Sequence, residues 1–467
     1  MKSNFVVAPL LLALSLACFG QSEPPSGMAS GLAPSLPPGP TAASLSVDEA
    51  VAEALQSNPE IRAAVRRLSL AQLKTTTARS LDDPMFMVRD WDTPLKKPWD
   101  LNQAQLMFSV QQTFLSKEKR DVRSKVAGDD AEAAASDLES TRQEVAAEVR
   151  KACADLMRNA DERKLLDRQA SLLKEALSVT LVQYTTGKVP QADVLRAQMA
   201  ITRLDEQEIE LDEERDTARA GLDVLLGRRP DEELEIAGNY AAARELPPIE
   251  ELERLAILNR PELTGLRTQI EKSKNEGVAA RLAMKPDFTA ALGYMVMPAG
   301  STSRNAYMAE MTMNLPWLNR DRHEGESKQA DAATEVAQAD LEARTSAVFL
   351  EVQQAQIATL AAEKRVKLYR DTLLPQAEAA FKASTAAYQN NRAEFLTLID
   401  SQNLLLDIQV AYYKALSATD AGVAELQRTV GVQIPEIPSA VPAQPNTDSS
   451  YTGTLSPNLP STDWRSK

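Results

Sequence analysis

Two long stretches of the chain carry apolar residues at alternating three- and four-residue spacing. The first covers 117–184 and contains no proline and one glycine. The second covers 323–388 and contains one of each, Pro375 and Gly325. Val145, Val149, Ala152 and Leu156 mark the seam in the first; Val348, Val352, Ala355, Ala362, Val366, Tyr369 and Leu373 mark it in the second. Such spacing is the stripe along which long helices pack. Sixty-odd helical residues extend about 100 Å at 1.5 Å each, whereas ordinary helices average about 11–12 residues. The alanines at 131, 133, 134 and 135, and at 330, 332 and 333, suit close helix packing. Further helices are predicted over 47–80 and 249–284. Asn58-Pro59 and Arg260-Pro261 interrupt each of them near its start, because proline lacks the N–H and crowds the preceding turn.

Four shorter runs alternate with period two: Met85–Trp91, Gln105–Phe114, Phe288–Met297 and Tyr307–Leu315. Leu106, Phe108 and Val110 oppose Ser109, Gln111 and Thr113. Likewise Tyr307, Ala309, Met311 and Met313 oppose Glu310, Thr312 and Asn314. One apolar and one polar face is the pattern of a membrane β-strand with a wet lumen. Trp91, Trp99 and Trp317 lie at or near the run ends, as in an interfacial aromatic belt. The competing reading is a small soluble sheet packed on the helices. Four strands cannot close a barrel, since single-chain membrane barrels begin at about eight. Lipid does not tolerate an open edge. If these strands span a bilayer, several chains share one barrel, and three copies supply 3 × 4 strands, about twelve.

The body of the chain is duplicated. Pro59-Glu60-Ile61 recurs as Pro261-Glu262-Leu263, and Arg79, Pro84 and Phe86 recur as Arg281, Pro286 and Phe288, all 202 residues later. Phe114 recurs as Trp317 at 203; Tyr184 and Gly227 recur as Tyr388 and Gly431 at 204. The unit is far longer than a solenoid repeat. The expected organisation is a first repeat over 44–230, a connection over 231–248 and a second repeat over 249–432. The predicted class is mainly α with a small membrane β-barrel portion: long antiparallel helices forming an α-barrel, plus four strands per chain in a shared barrel.

The ends read differently. Lys2 and the apolar run Phe5–Ala17 form a secretory signal within 1–20, too short to span a bilayer. Cys18 after Ala17 is either an acylated first residue of the mature chain or is lost on cleavage near Gly20. Residues 21–43 are a Pro/Gly/Ser-rich tether, and 433–467 are a proline-rich tail expected to lack order. Nothing after residue 20 is a candidate transmembrane helix. The destination is therefore the periplasm or, as a β-barrel, the outer membrane.

Composition narrows the chemistry. A net charge of −14 disfavours nucleic acid as a partner. One histidine, His323, excludes His-rich metal sites, and Cys18 and Cys153 form no CxxC motif. GxSxG, HExxH and P-loop motifs are absent, and no cofactor or enzymatic activity is expected. The acidic run Leu204–Asp216 reads as a solvated helix face. Eight of the 13 methionines fall in the strand windows, at 85, 87, 107, 295, 297, 308, 311 and 313. Thioethers bind soft metals, but Met311 and Met313 fall on the apolar side, where methionine is simply a flexible hydrophobe.

The signal, the duplication, the strand pairs, the long helices and one recurrent turn together resemble the TolC-type outer-membrane efflux proteins over about residues 45–432. The turn is YTTGKVPQADVLRAQ at Tyr184–Gln198, echoed by YQNNRAEFLTLIDSQ at Tyr388–Gln402. Gly187 and Asn391, three residues after each tyrosine, are types that tolerate the left-handed conformation ending a helix. The resemblance implies a homotrimeric duct in outer-membrane lipid that passively conducts substrates. It also implies a periplasmic adaptor protein and an inner-membrane transporter as partners. On that resemblance Gly187, Lys188, Val189 and Pro190, with Asn391, Arg392 and Ala393, are the adaptor-docking tips. Asp193, Thr397 and Asp400 occupy the periplasmic constriction, where relatives often place acidic residues one turn apart; here Thr397 is not acidic. The alternative is a periplasmic coiled-coil scaffold without a pore.

Overall fold

The computed structural model describes residues 44–91, 105–240, 246–298, 301–303, 305–390 and 392–433. Cys18, the signal segment, the tether, Trp99, Asn391 and the tail beyond Gln433 lie outside the described residues.

The chain begins with β1 (Ser44–Leu45), α1 (Val47–Ser57) and α2 (Pro59–Arg79). Ser46 caps α1 in a reciprocal box: its hydroxyl accepts from the Glu49 N–H at 3.3 Å, and the Glu49 carboxylate accepts from the Ser46 N–H at 2.9 Å. Pro59 occupies the first turn of α2, where its missing N–H costs nothing. The Asn58 side chain before it accepts from the Glu60 and Ile61 N–H groups at 2.8 and 3.1 Å. Next come β2 (Met85–Trp91), β3 (Gln105–Phe114), α3 (Lys117–Thr185) and α4 (Gln191–Leu225). After β4 (Glu235–Ile236) the order repeats as α5 (Ile249–Asn259), α6 (Pro261–Leu282), β5 (Phe288–Val296) and β6 (Asn305–Met313). A 3-10 turn at Pro316–Asn319 leads into α7 (Arg320–Leu368). A π-helical turn (Tyr369–Leu373), α8 (Leu374–Gln389) and α9 (Phe395–Val430) complete the chain.

The duplication extends to the packing. Ala50, Ala54, Ile61, Val145, Val149, Leu222 and Leu226 form one core with Cys153. Their counterparts Leu252, Ala256, Leu263, Val348, Val352, Leu426 and Val430 form another. Each large aliphatic side chain buried in these cores contributes about 2 kcal/mol. Towards the far end of the long helices the repeats share a third core. There Leu165, Leu166, Leu173, Ala197 and Leu204 meet Phe395, Leu398, Ile399 and Leu406.

Both repeats close through a left-handed glycine. Gly227 (φ 73°) ends the fourth helix of its repeat against the Ser57 carbonyl, and Gly431 (φ 79°) ends α9 against the Asn259 carbonyl. No side chain fits at either contact. A Cβ on Gly431 would lie 2.9 Å from the Asn259 oxygen.

The π-helical turn accounts for a detail of the numbering. Val145, Val149 and Ala152 match Val348, Val352 and Ala355 at an offset of 203, and beyond the turn Tyr184 matches Tyr388 at 204. A π turn absorbs one extra residue in a helix. It lies just before Pro375, which cannot donate to the carbonyl four residues back. The first repeat has no proline here, and α3 runs unbroken for 69 residues, about 100 Å.

β2, β3, β5 and β6 form one antiparallel sheet in that order. The expected fourth strand, Tyr307–Leu315, is displaced by two residues to Asn305–Met313, because Pro316 starts the 3-10 turn and Asn314 instead accepts the Asp287 N–H. β1 and β4, two residues each, pair in parallel and were not expected. No described helix is long and apolar enough to cross a membrane.

Candidate functional site

Two regions at opposite ends of the helices carry the predicted chemistry. The first is the pair of turns. In the α3–α4 turn the Gly187 N–H donates to the Tyr184 carbonyl at 2.9 Å, with φ 72° at Gly187. The Lys188 N–H reaches back to Gln183 at 2.9 Å, and the Asp193 N–H donates to Pro190 at 3.1 Å. The α8–α9 turn repeats the last two of these bonds 204 residues later: Arg392 donates to Ala387 at 2.8 Å and Thr397 to Glu394 at 3.1 Å. The two turns have little sequence in common, yet share these hydrogen bonds. Lys188, Pro190 and Arg392 are exposed; Val189 and Ala393 are partly covered.

Tyr388 joins the two tips. Its hydroxyl donates to the Gln183 side chain at 3.1 Å, and its ring lies 5.7 Å from that of Phe395. Burial raises its pKa above the ordinary range, and the Asp193 carboxylate adds to that rise against an opposing bond from Thr180. Asp193 itself is buried, and Arg196 donates to it at 3.3 Å. Thr397, its counterpart, is exposed, and so is Asp400 one turn on. The structure therefore places Thr397 and Asp400 on one open face of α9 and Asp193 between helices.

The acidic run of α4 is only partly solvated. Leu204 and Leu211 are buried, and Glu208 and Asp212 pair with Arg163 of α3, the latter at 2.8 Å. Glu214 pairs with Arg158 at 3.0 Å. Its carboxylates thus tie α4 to α3 rather than forming a catalytic group.

The second region is the sheet. The pairing places Phe86 and Val88 of β2 beside Val110 and Phe108 of β3, then Leu292 and Tyr294 of β5, then Ala309 and Tyr307 of β6. All eight are exposed, and Tyr307 is 90% exposed. This face also carries Phe114, Phe288, Met311 and Met313. The opposite face carries Gln105, Ser109, Gln111, Thr113, Thr289, Glu310 and Thr312, with the Thr113 and Thr289 hydroxyls 3.0 Å apart. A contiguous apolar patch of this kind is not left in water. β2 and β6 have no partner on their outer edges among the described residues. At the base of the sheet the Lys119 ammonium binds Asp287 at 2.8 Å and the Lys285 carbonyl at 2.7 Å, fixing α3 to the entry of β5.

No group of three or more His, Cys, Asp or Glu side chains with metal-binding geometry occurs among the described residues. The Cys153 thiol is buried, and burial raises its pKa to about 12. Trp317, expected near a membrane interface, is half exposed in the 3-10 turn after β6.

Comparison with known proteins adds the following. The family described as "Outer membrane efflux protein" matches residues 50–228 and 252–432, one match per repeat. The cobalt-zinc-cadmium resistance protein CzcC of Cupriavidus metallidurans is 23% identical over 398 residues, covering 84% of this chain and 92% of that protein. Among solved structures, the transmembrane channel CusC superposes with a TM-score of 0.71 at 14% identity, covering 84% of this chain and 93% of that one. The MtrE outer membrane channel of Neisseria gonorrhoeae, in its open state, gives 0.69 at 16% identity over 83% of this chain and 89% of its own.

Proposed function

This chain belongs to the outer membrane efflux protein family, and from that premise we propose that three copies close into one duct that passes metal cations outward. It is an outer-membrane efflux channel with a periplasmic helical portion, and it is not an enzyme. The number of copies, the partners and the cargo are the proposal.

The observation that carries the trimer is a missing half of the internal symmetry. α3 packs on α6 and α9 of the second repeat, but α7, its counterpart, has no such packing on α2 or α4. In the sheet β3 pairs with β5, but β6, the counterpart of β3, has no second partner among the described residues. The α2, α4 and β2 of a neighbouring copy would supply what α7 and β6 lack. Contacts of this head-to-tail kind close into a ring. Three copies give twelve strands with every edge paired and the apolar face towards lipid.

The pairing register transfers too. Met313 corresponds to Val110, which faces Leu292, and Leu292 corresponds to Asp90. Met313 therefore faces Asp90 of the neighbouring copy. A Met313→Cys, Asp90→Cys double variant should crosslink into a covalent trimer under oxidation, while each single variant should not. A monomeric mass in mild detergent, from a protein recovered in the soluble periplasmic fraction, would overturn the duct in favour of the scaffold.

The tips Gly187–Pro190 and Arg392–Ala393, with Asn391, would receive a periplasmic adaptor coupled to an inner-membrane transporter. Exposed Lys188 and Arg392 put two cations on that surface beside the Glu394 carboxylate. Asp400 is the exposed carboxylate of the proposed constriction with Thr397 and Asp193. Asp400→Ala should raise single-channel conductance; an unchanged conductance would remove its gating role. Metal cations as cargo rest on the similarity to a protein named for cobalt, zinc and cadmium resistance. A strain lacking this channel should lose tolerance to at least one of those ions.

A further inference from the structure

The repeats place opposite charges at three equivalent heights of α4 and α9. Arg196, Arg203 and Glu210 lie seven residues apart on α4, and their counterparts 204 residues on are Asp400, Asp407 and Lys414 of α9. The sign is inverted at every height. One heptad nearer the tips the pair is Val189 and Ala393, and one heptad further away it is Thr217 and Ala421, so this ladder has three rungs and uncharged ends. All six charged residues are exposed. Arg196 donates to Asp193; the other five take part in no salt bridge among the described residues.

Packing turns both stripes to one side. On α4 each charge stands one residue before a core residue, Ala197, Leu204 or Leu211; on α9 each stands one residue after Ile399, Leu406 or the partly buried Tyr413. Both helices run away from the turns, and both pack on α3. A residue advances about 100° around a helix. One position before the core on one flank of α3, and one after it on the other, therefore bring the charges to the same side. There Glu210, Asp407 and Lys414 line one groove of about 370 Å³, with Glu162 and Leu166 of α3 between them. α4 and α9 barely touch each other, so this side is open.

Successive rungs are about 10 Å apart along the helices, close to the screening length of about 8 Å at physiological salt. A charge on one rung is largely screened from the next, so cancellation has to come within a rung. In a ring of three copies each rung holds both signs in equal number. We propose that these rungs form a charge-balanced wall along the tip half of the duct, which lets a divalent cation pass without being held. The inference rests on the duct reading above; the inverted signs and the shared groove stand without it. A rung of carboxylates alone would hold such an ion through its summed field, whereas conduction needs binding weak enough to release it.

The test uses the full-length protein in planar bilayers. Arg203→Asp leaves its rung with carboxylates alone. Its K⁺/Cl⁻ permeability ratio should rise at least about threefold, and Zn(II) should block it at concentrations that leave the parent channel open. Asp407→Arg should lower the ratio. Arg203→Asp combined with Asp407→Arg restores both signs and should return both readouts to the parent values. Mass and melting temperature are checked in each variant. Single changes that move neither readout overturn the wall, and so does a combined variant that stays shifted. Glu210→Cys with Lys414→Cys, in a Cys153→Ala background, tests the groove apart from conduction. A short bifunctional thiol reagent should link α4 to α9 within one chain, and no link overturns the arrangement. A link in a protein that stays monomeric and passes no current sinks the duct reading and the wall with it, and leaves only the groove standing.

Discussion

The two repeats bury the same apolar positions and differ in what they bury beside them. In the first repeat the junction before the proline is Asn58, 2% exposed, which caps α2 and donates to the Leu225 carbonyl at 2.9 Å. In the second it is Arg260, also 2% exposed, bonded to Glu351. Arg344 adds a second cation, binding both Glu262 and Glu351. The first repeat keeps both carboxylates, as Glu60 and Glu148, but has Asn58 and Thr141 where the arginines stand. The titration follows. Burial pushes both Glu148 and Glu351 up. Glu144 and Glu60 push Glu148 further, against Lys151 and Arg428, and its pKa is raised. Arg260 and Arg344 outweigh burial at Glu351, and its pKa is lowered. The apolar scaffold was copied, and the electrostatics at the same depth diverged in sign.

The comparison breaks most severely at the π turn. Deleting Arg168 from α3 turns everything beyond it by about 100°, so the tip core cannot form and no trimer should be recovered. Deleting Thr372 together with Pro375→Ala removes the extra residue and its proline, and a trimer should persist. Size-exclusion mass separates the two. Next in size, Arg260→Ala leaves its carboxylate partners short of a cation in a buried setting and should cost about 3 kcal/mol. Asn58→Ala loses a cap and one hydrogen bond, about 1–2 kcal/mol. Midpoints of chemical denaturation rank them, and equal costs would erase the distinction.

Gly431→Ala combines a left-handed φ with a collision and should cost about 3 kcal/mol. Gly187→Ala has the same φ but nothing within 4 Å, so only about 1 kcal/mol is expected. The smallest effect is on acidification. A raised pKa means that the Glu148 charge costs stability above its folded pKa, and that this cost is relieved as pH falls through it. A lowered pKa means that Glu351 contributes stability above its unfolded pKa, lost only as pH falls through the lower folded value. As pH falls through the raised Glu148 value towards the ordinary carboxylate range, protection factors from hydrogen exchange, corrected for the intrinsic pH dependence, should therefore rise around Ile61 while those around Leu263 hold. Glu148→Gln should remove the change.

Much of this was legible in the chain. Period-two runs located the sheet, and the Tyr184 and Tyr388 segments located both tips, because alternation and helix-ending residues are local signals. The faces of the methionines were legible as well: Met107 shares parity with Ser109, and Met308 with Glu310. Only cross-strand register sets Met107 opposite Met295 and Met308 opposite Gly293, and that is a long-range property. β1 and β4 are too short to alternate. Arg260 reads as the residue before a proline and nothing more, since its burial depends on Glu351, 91 residues away. Asp193, in the first turn of a helix, reads as exposed, yet packing between helices buries it.

The π turn also keeps the two halves in phase. The second repeat carries one residue more than the first between its core and its turn, and one widened coil at Tyr369–Leu373 takes it up while α3 stays α-helical throughout. Tyr388 thereby still meets Gln183 across the turns. The halves have become unequal in length and remain equal in aim.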